Sequence, residues 1–263
     1  MADPGTPAGG GELRDAATLA LLRTSGSELQ VLLLGRPASA SFAPRTQVFP
    51  GGSVDMSDRD PRWRLLLDRQ AERDWDVRAG LAVRVAAIRE TYEECGILLA
   101  GDSQGQLCNA QQLAELEPTR SRLRHGEPAL LLSALASFQL RPAVDEIAFC
   151  AHWVTPEGLP RRFDTRFFVA ASPAGQEPSG DALGEHVSLR WVAPAQALAE
   201  GLRGDCQLLP PTRAVLAWLA RSTCVEDVLE RARRDLVDTM RPRLEDVTSA
   251  RYPGLDLSTL HGD

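Results

Sequence analysis

The sequence predicts an α/β (α+β) domain in which helices sandwich a mixed sheet. Three observations carry this expectation. Residues 16–23 and 29–34 are apolar runs joined by Thr24-Ser25-Gly26-Ser27, the pattern of a hairpin. Residues 81–95 repeat apolar side chains at helical spacing. Further along, the strand-like runs 148–153, 166–171 and 187–191 alternate with helical segments.

The elements follow in order. Residues 1–11 are rich in Gly, Pro and Ala and acidic, which predicts a disordered lead and not a signal peptide. After the two strands, 37–46 is a loop, and Val48-Phe49 enters the turn Pro50-Gly51-Gly52. The stretch 59–80 holds Trp63, Leu65, Leu66, Leu67 and Trp75 among many charges, and is expected to be helical and to fold over its neighbours. Helix 81–95 ends at Gly96, a residue suited to the left-handed position that closes a helix, and Ile97-Leu98-Leu99 is the next buried segment. Helices are expected at 110–114 and 129–137, with a polar loop around 120–127. A loop over 172–181 and a helix over 193–200 flank the strand 187–191. Pro210-Pro211-Thr212 opens a helix to about residue 220, since proline is favoured in the first turn. Residues 224–240 are expected as a charged helix followed by an extended tail. The predicted organisation is a lead (1–11), one main domain (12–220, with the insertion at about 59–80) and a C-terminal helix and tail (221–263).

Composition narrows the function. The 263 residues are 43% hydrophobic, enough for a sizeable core. The net charge is −7, and all 29 basic residues are arginine. The lack of lysine excludes a Schiff-base lysine and a phosphate-binding Walker lysine. No basic tract marks a nucleic-acid partner. Arginine can still meet phosphate bidentately. Cys95, Cys108, Cys150, Cys206 and Cys224 are scattered and odd in number, which points to thiols in a reducing compartment and away from zinc sites or disulfides. No apolar run reaches the ~18 residues of a membrane span. The chain closes on Leu260-His261-Gly262-Asp263 and not on a peroxisomal Ser-Lys-Leu, so the expected location is cytoplasmic.

The chemistry concentrates in Arg89-Glu90-Thr91-Tyr92-Glu93-Glu94-Cys95-Gly96, read with Phe49-Pro50-Gly51-Gly52 upstream. At roughly 100° per residue with Leu81 at zero, Val85, Ile88 and Tyr92 fall within about 40° of that zero. Glu90, Glu93 and Glu94 fall near 180°, 120° and 220° on the same scale. One face can pack on a sheet while the other carries three acids. Val83, Ala86 and Ala87, modest in size, are expected to leave room beside them. Arg89 precedes Glu93 by four residues and can hold its carboxylate. Hard divalent cations take such carboxylate and carbonyl oxygens.

These segments resemble the Nudix box, G-x5-E-x7-R-E-U-x-E-E-x-G-U, with U a bulky apolar residue. Gly52 matches the first glycine, and Asp58 stands where the family has Glu. Arg89, Glu90, Glu93, Glu94, Gly96 and Ile97 match the second half, and Thr91 replaces the usual bulky residue. Thirty residues, 59–88, stand where the family has seven. Such a split box is similar to that of the peroxisomal-type coenzyme A diphosphatases. Val31 to Arg36, Phe42-Ala43-Pro44, Val48 to Asp55, Trp153 to Pro156, Arg161 to Phe168 and Leu189 to Pro194 resemble the same branch.

The resemblance implies a Nudix-type α/β/α sandwich with a mixed sheet, a helical insertion within the box and a C-terminal helical extension. It implies Mg2+ or Mn2+ held by Glu90, Glu93, Glu94 and the Gly51 carbonyl. Glu93 and Arg89 are then catalytic, with Glu185 as the candidate base outside the box. Arg36, Arg45 and Phe49 are the candidate substrate contacts. His152 and His186 lack metal-ligand spacing and are read as structural, and Asp164 as a turn or strand-end hydrogen bond. The implied reaction is hydrolysis of coenzyme A or acyl-coenzyme A to adenosine 3′,5′-bisphosphate and a 4′-phosphopantetheine. The alternatives are a hydrolase of ADP-ribose or NADH, and a non-catalytic Nudix-like binding module. The expected partner is a small-molecule nucleotide, with neither nucleic acid nor membrane involved.

Overall fold

The computed structural model describes residues 11–35, 46–67, 76–180 and 188–245. The strands are β1 (Leu13–Ser25), β2 (Glu28–Gly35), β3 (Thr46–Val48), β4 (Gly51–Ser53), β5 (Ala100–Gly101), β6 (Arg141–Pro142), β7 (Ala148–Val154), β8 (Arg162–Ala171), β9 (Ser188–Val192), β10 (Gln207–Leu208) and β11 (Thr239–Met240). The helices are α1 (Trp63–Leu66), α2 (Leu81–Cys95), α3 (Ala110–Arg124), α4 (Leu130–Ser137), α5 (Pro194–Arg203), α6 (Pro210–Leu219) and α7 (Val225–Arg234).

β1 organises the sheet because both of its faces are apolar. Ala17, Leu19 and Leu21 point to one core layer, and Ala20 and Leu22 to the other, as period-two alternation requires. The hairpin to β2 turns on Gly26 and Ser27, with Ser25 paired to Glu28 and Gly26 at φ 62, a left-handed turn conformation that glycine adopts without strain. On its other side β1 runs parallel to β8 from Leu13↔Arg162 to Leu22↔Ala171. The main sheet reads β10-β3-β2-β1-β8-β7-β11, with β4 on β1 and β9 on β2. Parallel and antiparallel pairs coexist, so the sheet is mixed, as expected.

Helices cover both faces. Leu19, Leu21, Leu32 and Leu34 pack with Val85, Ile88 and Tyr92 of α2, Leu116 of α3, and Leu131 and Leu135 of α4. Leu22, Leu33, Phe167 and Val169 pack with Leu198 of α5, Val215, Leu216 and Leu219 of α6, and Val228 of α7. This is the α/β/α sandwich.

Three sequence expectations need correction. The polar loop expected around 120–127 is largely helix, because α3 continues through Pro118 to Arg124 and buries Leu116, Arg120 and Leu123. The charged helix expected over 224–240 stops at Arg234, and β11 then pairs parallel with β7 at His152 and Trp153. Val83, Ala86 and Ala87 do not line an open site, since they are buried in the core. Arg84 is also buried, and its guanidinium donates to the carbonyls of Ala79, Val144 and Ile147 at 2.7–2.8 Å. Burial pulls Arg84 down to about 10. The described part of the insertion forms short helical turns, 56–59, α1 and 77–79. Residues 68–75 lie outside the described residues.

Candidate active site

The site forms where β4 meets α2. Ala16, Ala17 and Thr18 of β1 pair with Ser53, Gly52 and Gly51, and the Leu19 amide donates to the Pro50 carbonyl at 2.9 Å. The glycine turn is thereby fixed over the acidic side of α2. Its lack of side chains permits the approach. A Cβ on Gly52 would stand 2.5 Å from Cδ and Oε1 of Glu90, and one on Gly51 2.5 Å from the Ala17 carbonyl oxygen. The Gly51 amide donates to Glu94 Oε2 at 2.9 Å.

Arg89 is the hub. It is 3% exposed, and its Nε and Nη2 donate to Asp58 Oδ1 and Oδ2, both at 2.9 Å. Nη1 donates to Glu90 Oε1 and Glu93 Oε1, each at 2.9 Å. Nη2 also reaches the Ser53 carbonyl at 3.0 Å. Asp58 is 1% exposed and accepts the Asp55 amide at 2.8 Å as part of a capping box. The two halves of the motif, thirty residues apart in sequence, are joined through one guanidinium.

The electrostatics follow from burial. Burial alone would pull Arg89 down, but Asp58, Glu90 and Glu93 carry it well above the ordinary arginine range. Burial pushes Glu90 up to about 8, against the pull of Arg89 and with the help of Glu94 and Glu93. Glu93 is raised for the same first reason and is held back by Arg89. Three carboxylates, Asp58, Glu90 and Glu93, thus share one guanidinium in a largely dry pocket, with Glu94 beside them, an arrangement that favours a cation. Among the described residues, no three acid, histidine or cysteine side chains converge closely enough to hold a metal ion as they stand. Arg89 fills the space between Glu90 and Glu93. The donor set of buried carboxylate oxygens nevertheless fits a hard divalent ion.

The other expected residues divide. Glu90, Glu93, Glu94, Arg89 and Gly51 come together. Phe49 does not join them. It is buried among Leu33, Leu208 and Leu216 on the opposite face of the sheet, because strand alternation ahead of Pro50 turns its ring there, so it is withdrawn as a substrate contact. Arg36, Arg45, Glu185 and His186 lie outside the described residues. His152 bridges Asp164 and the Thr239 hydroxyl, which makes both residues structural ties between β7, β8 and β11. Sequence reasoning missed the Ser53 carbonyl and did not assign Asp58 its partner. A buried acid after a capping-box Asp55 was the available signal for Asp58.

The model of the NUDT19 Nudix domain matches residues 67–217, more than half of the chain. The chain belongs to the NUDT19 Nudix domain family. The NUDT19-type match takes in α2 and its acids, while the glycine turn and Asp58 precede its start. An acyl-coenzyme A diphosphatase NUDT19 of Xenopus laevis is 28% identical over 222 residues, covering 70% of this chain and 58% of that protein. The Homo sapiens protein of the same name is 26% identical over 238 residues, covering 76% and 62%. The chain therefore spans less than two thirds of the length of these curated relatives. A crystal structure of a NUDIX hydrolase from Alicyclobacillus acidocaldarius superposes with a TM-score of 0.70 at 26% identity, covering 84% of this chain and 96% of that one.

Proposed function

We propose that this NUDT19-type domain is a divalent-metal-dependent hydrolase of the diphosphate in coenzyme A or acyl-coenzyme A, releasing adenosine 3′,5′-bisphosphate and (acyl-)4′-phosphopantetheine. The observation that carries the proposal is the Arg89 hub beneath the glycine turn, with all three box acids retained. A non-catalytic binding module has no need of that set. The names of the curated relatives support the coenzyme A substrate.

In this reading Mg2+ or Mn2+ is held by Glu90, Glu93, Glu94 and the Gly51 carbonyl. Such an ion offsets diphosphate charge and lowers the pKa of a bound water. Asp58 and Ser53 hold Arg89 in place, and Arg89 in turn orients Glu90 and Glu93. Glu185 is the proposed base that accepts the proton of the attacking water. The water oxygen bonds to phosphorus as the bond to the bridging oxygen breaks. With no lysine in the chain, Arg36 and Arg45 are the proposed side chains for the substrate phosphates, each charge-assisted bond contributing about 1.5–3 kcal/mol. We assign a cytoplasmic location on the five unpaired cysteines. No described helix is long and apolar enough to cross a membrane.

A screen with Mg2+ and with Mn2+ tests the proposal. Coenzyme A should be cleaved with higher kcat/KM than dephospho-coenzyme A, ADP-ribose or NADH. Mass spectrometry should find the two named products. Faster cleavage of ADP-ribose or NADH by a clear margin overturns the coenzyme A assignment, and no metal-dependent cleavage of any diphosphate overturns the hydrolase reading.

A further inference from the structure

We propose that Arg120 of α3 is a positioning residue for the acids of α2, locking the last turn of that helix to the loop 172–180. The inference rests on the metal-site reading above. Arg120 occupies the buried stripe of α3, between Leu116 and Leu123 at spacings of four and three, where an apolar side chain is expected. It is 3% exposed. A guanidinium at such a place is costly unless its donors are used.

Those donors are spent on the end of α2 and on Ser179. Nε donates to the Tyr92 carbonyl at 2.8 Å and, more weakly, to that of Glu93 at 3.3 Å. Nη1 donates to Ser179 Oγ at 2.7 Å and Nη2 to the Ser179 carbonyl at 2.9 Å. The Ser179 amide returns to the Cys95 carbonyl at 2.9 Å. Helices leave their last carbonyls short of partners, and although the Gly96 amide caps the Tyr92 carbonyl at 3.0 Å, that oxygen has room for a second donor. Here the carbonyls of the turn that bears Glu93 and Glu94 are gripped from outside. Gln176 fastens the same loop, accepting from the Leu98 amide at 2.9 Å and donating to the Leu98 and Cys108 carbonyls at 3.1 Å. Gly96 makes room for the grip. Besides its φ of 73, a Cβ there would stand 2.5 Å from Ser179 Oγ and 2.8 Å from Arg120 Nη1.

Charge and position predict opposite signs. Arg120 carries a positive charge on the backbone of the acid-bearing turn, offset in part by Glu117 at 3.6 Å from its Nη1, so if charge were its whole effect, removing it would tighten metal binding. A positioning role predicts weakening. Outer-shell residues that orient metal ligands typically change affinity about 10–100-fold when replaced.

The test is titration of the full chain with Mn2+, following the free-ion signal by electron paramagnetic resonance, beside the melting temperature of the metal-free protein. Arg120→Lys keeps the charge and loses the fork. It should weaken Mn2+ binding about tenfold or more, and Arg120→Ala should do the same despite its lost charge. Ser179→Ala removes one acceptor and should weaken it about threefold, the size of a single hydrogen bond. In the coenzyme A assay, kcat should fall while KM stays within about twofold, since Arg120 grips the backbone of the acid-bearing turn. Should Arg120→Ala fail to fold, Arg120→Lys and Ser179→Ala decide. Unchanged or tighter Mn2+ binding in a folded Arg120→Lys protein overturns the inference while leaving the metal site intact. Failure of the unaltered chain to bind Mn2+ overturns the metal-site reading and the inference with it.

Discussion

Replacing Asp58 by Asn should destabilise the protein by about 3 kcal/mol, close to the lower end of the ~3–5 kcal/mol for breaking one side of a buried ion pair. The lower end applies because Arg89 keeps Glu90, Glu93 and the Ser53 carbonyl when Asp58 is neutralised. Asparagine offers one acceptor in place of two. In either orientation its NH2 group faces a guanidinium donor, and in one of them it faces the Asp55 amide donor as well. For a chain of this size each kcal/mol lowers the melting temperature by about 2–4 °C, so a loss of roughly 6–12 °C is expected by calorimetry in metal-free buffer. Asp58→Glu restores the residue type of the family motif. It keeps both acceptors at the cost of one extra methylene in a site that is 1% exposed, and should lose less than half as much. A drop under about 2 °C for Asp58→Asn would refute the claim that this pair joins the two halves of the motif.

Two further outcomes follow from the same geometry. Gly52→Ala puts a methyl where the Glu90 carboxyl now lies, and should lower kcat/KM and Mn2+ affinity about 10–100-fold while the melting temperature moves little; wild-type Mn2+ binding would count against the close approach. Glu93→Gln and Glu94→Gln should each cut turnover by about two orders of magnitude or more with the fold kept, and metal-dependent activity retained in both would remove these acids from the site.

The acid-bearing helix was legible because its pattern is local. Apolar spacing, three acids and Gly96 gave α2 its bounds at Leu81 and Cys95. The hairpin of β1 and β2 was legible for the same reason. What the sequence concealed depends on distant contacts. α3 was cut short because Arg120 sits on its buried stripe, and only the α2 carbonyls and Ser179 explain an arginine there. β11 is two residues long and exists because β7 offers an edge to pair with. The acid face of α2 was readable as acidic but not as covered, since the cover comes from β4, with Gly51 lying 43 residues before Glu94 and fixed by a strand pairing. Arg89 was expected to hold Glu93, four residues on. Its stronger engagement with Asp58 is invisible to any local pattern.

That engagement also explains how the motif tolerates being split. Closing a loop of thirty residues in place of seven costs about (3/2)RT ln(30/7), roughly 1.3 kcal/mol. Set against that cost is the bidentate Arg89–Asp58 pair, one tie that spans the split. The other ties across the split add to it: Gly51 amide to Glu94, Ser53 carbonyl to Arg89. The insertion is anchored near its start as well, where Trp63 is buried and its indole N–H donates to the Ser57 carbonyl at 2.8 Å. Because the site is held by contacts on either side of the insertion, the segment between 59 and 80 can vary in length without unseating the acids. Neutralising Asp58 alone removes the largest of the contacts that make this possible.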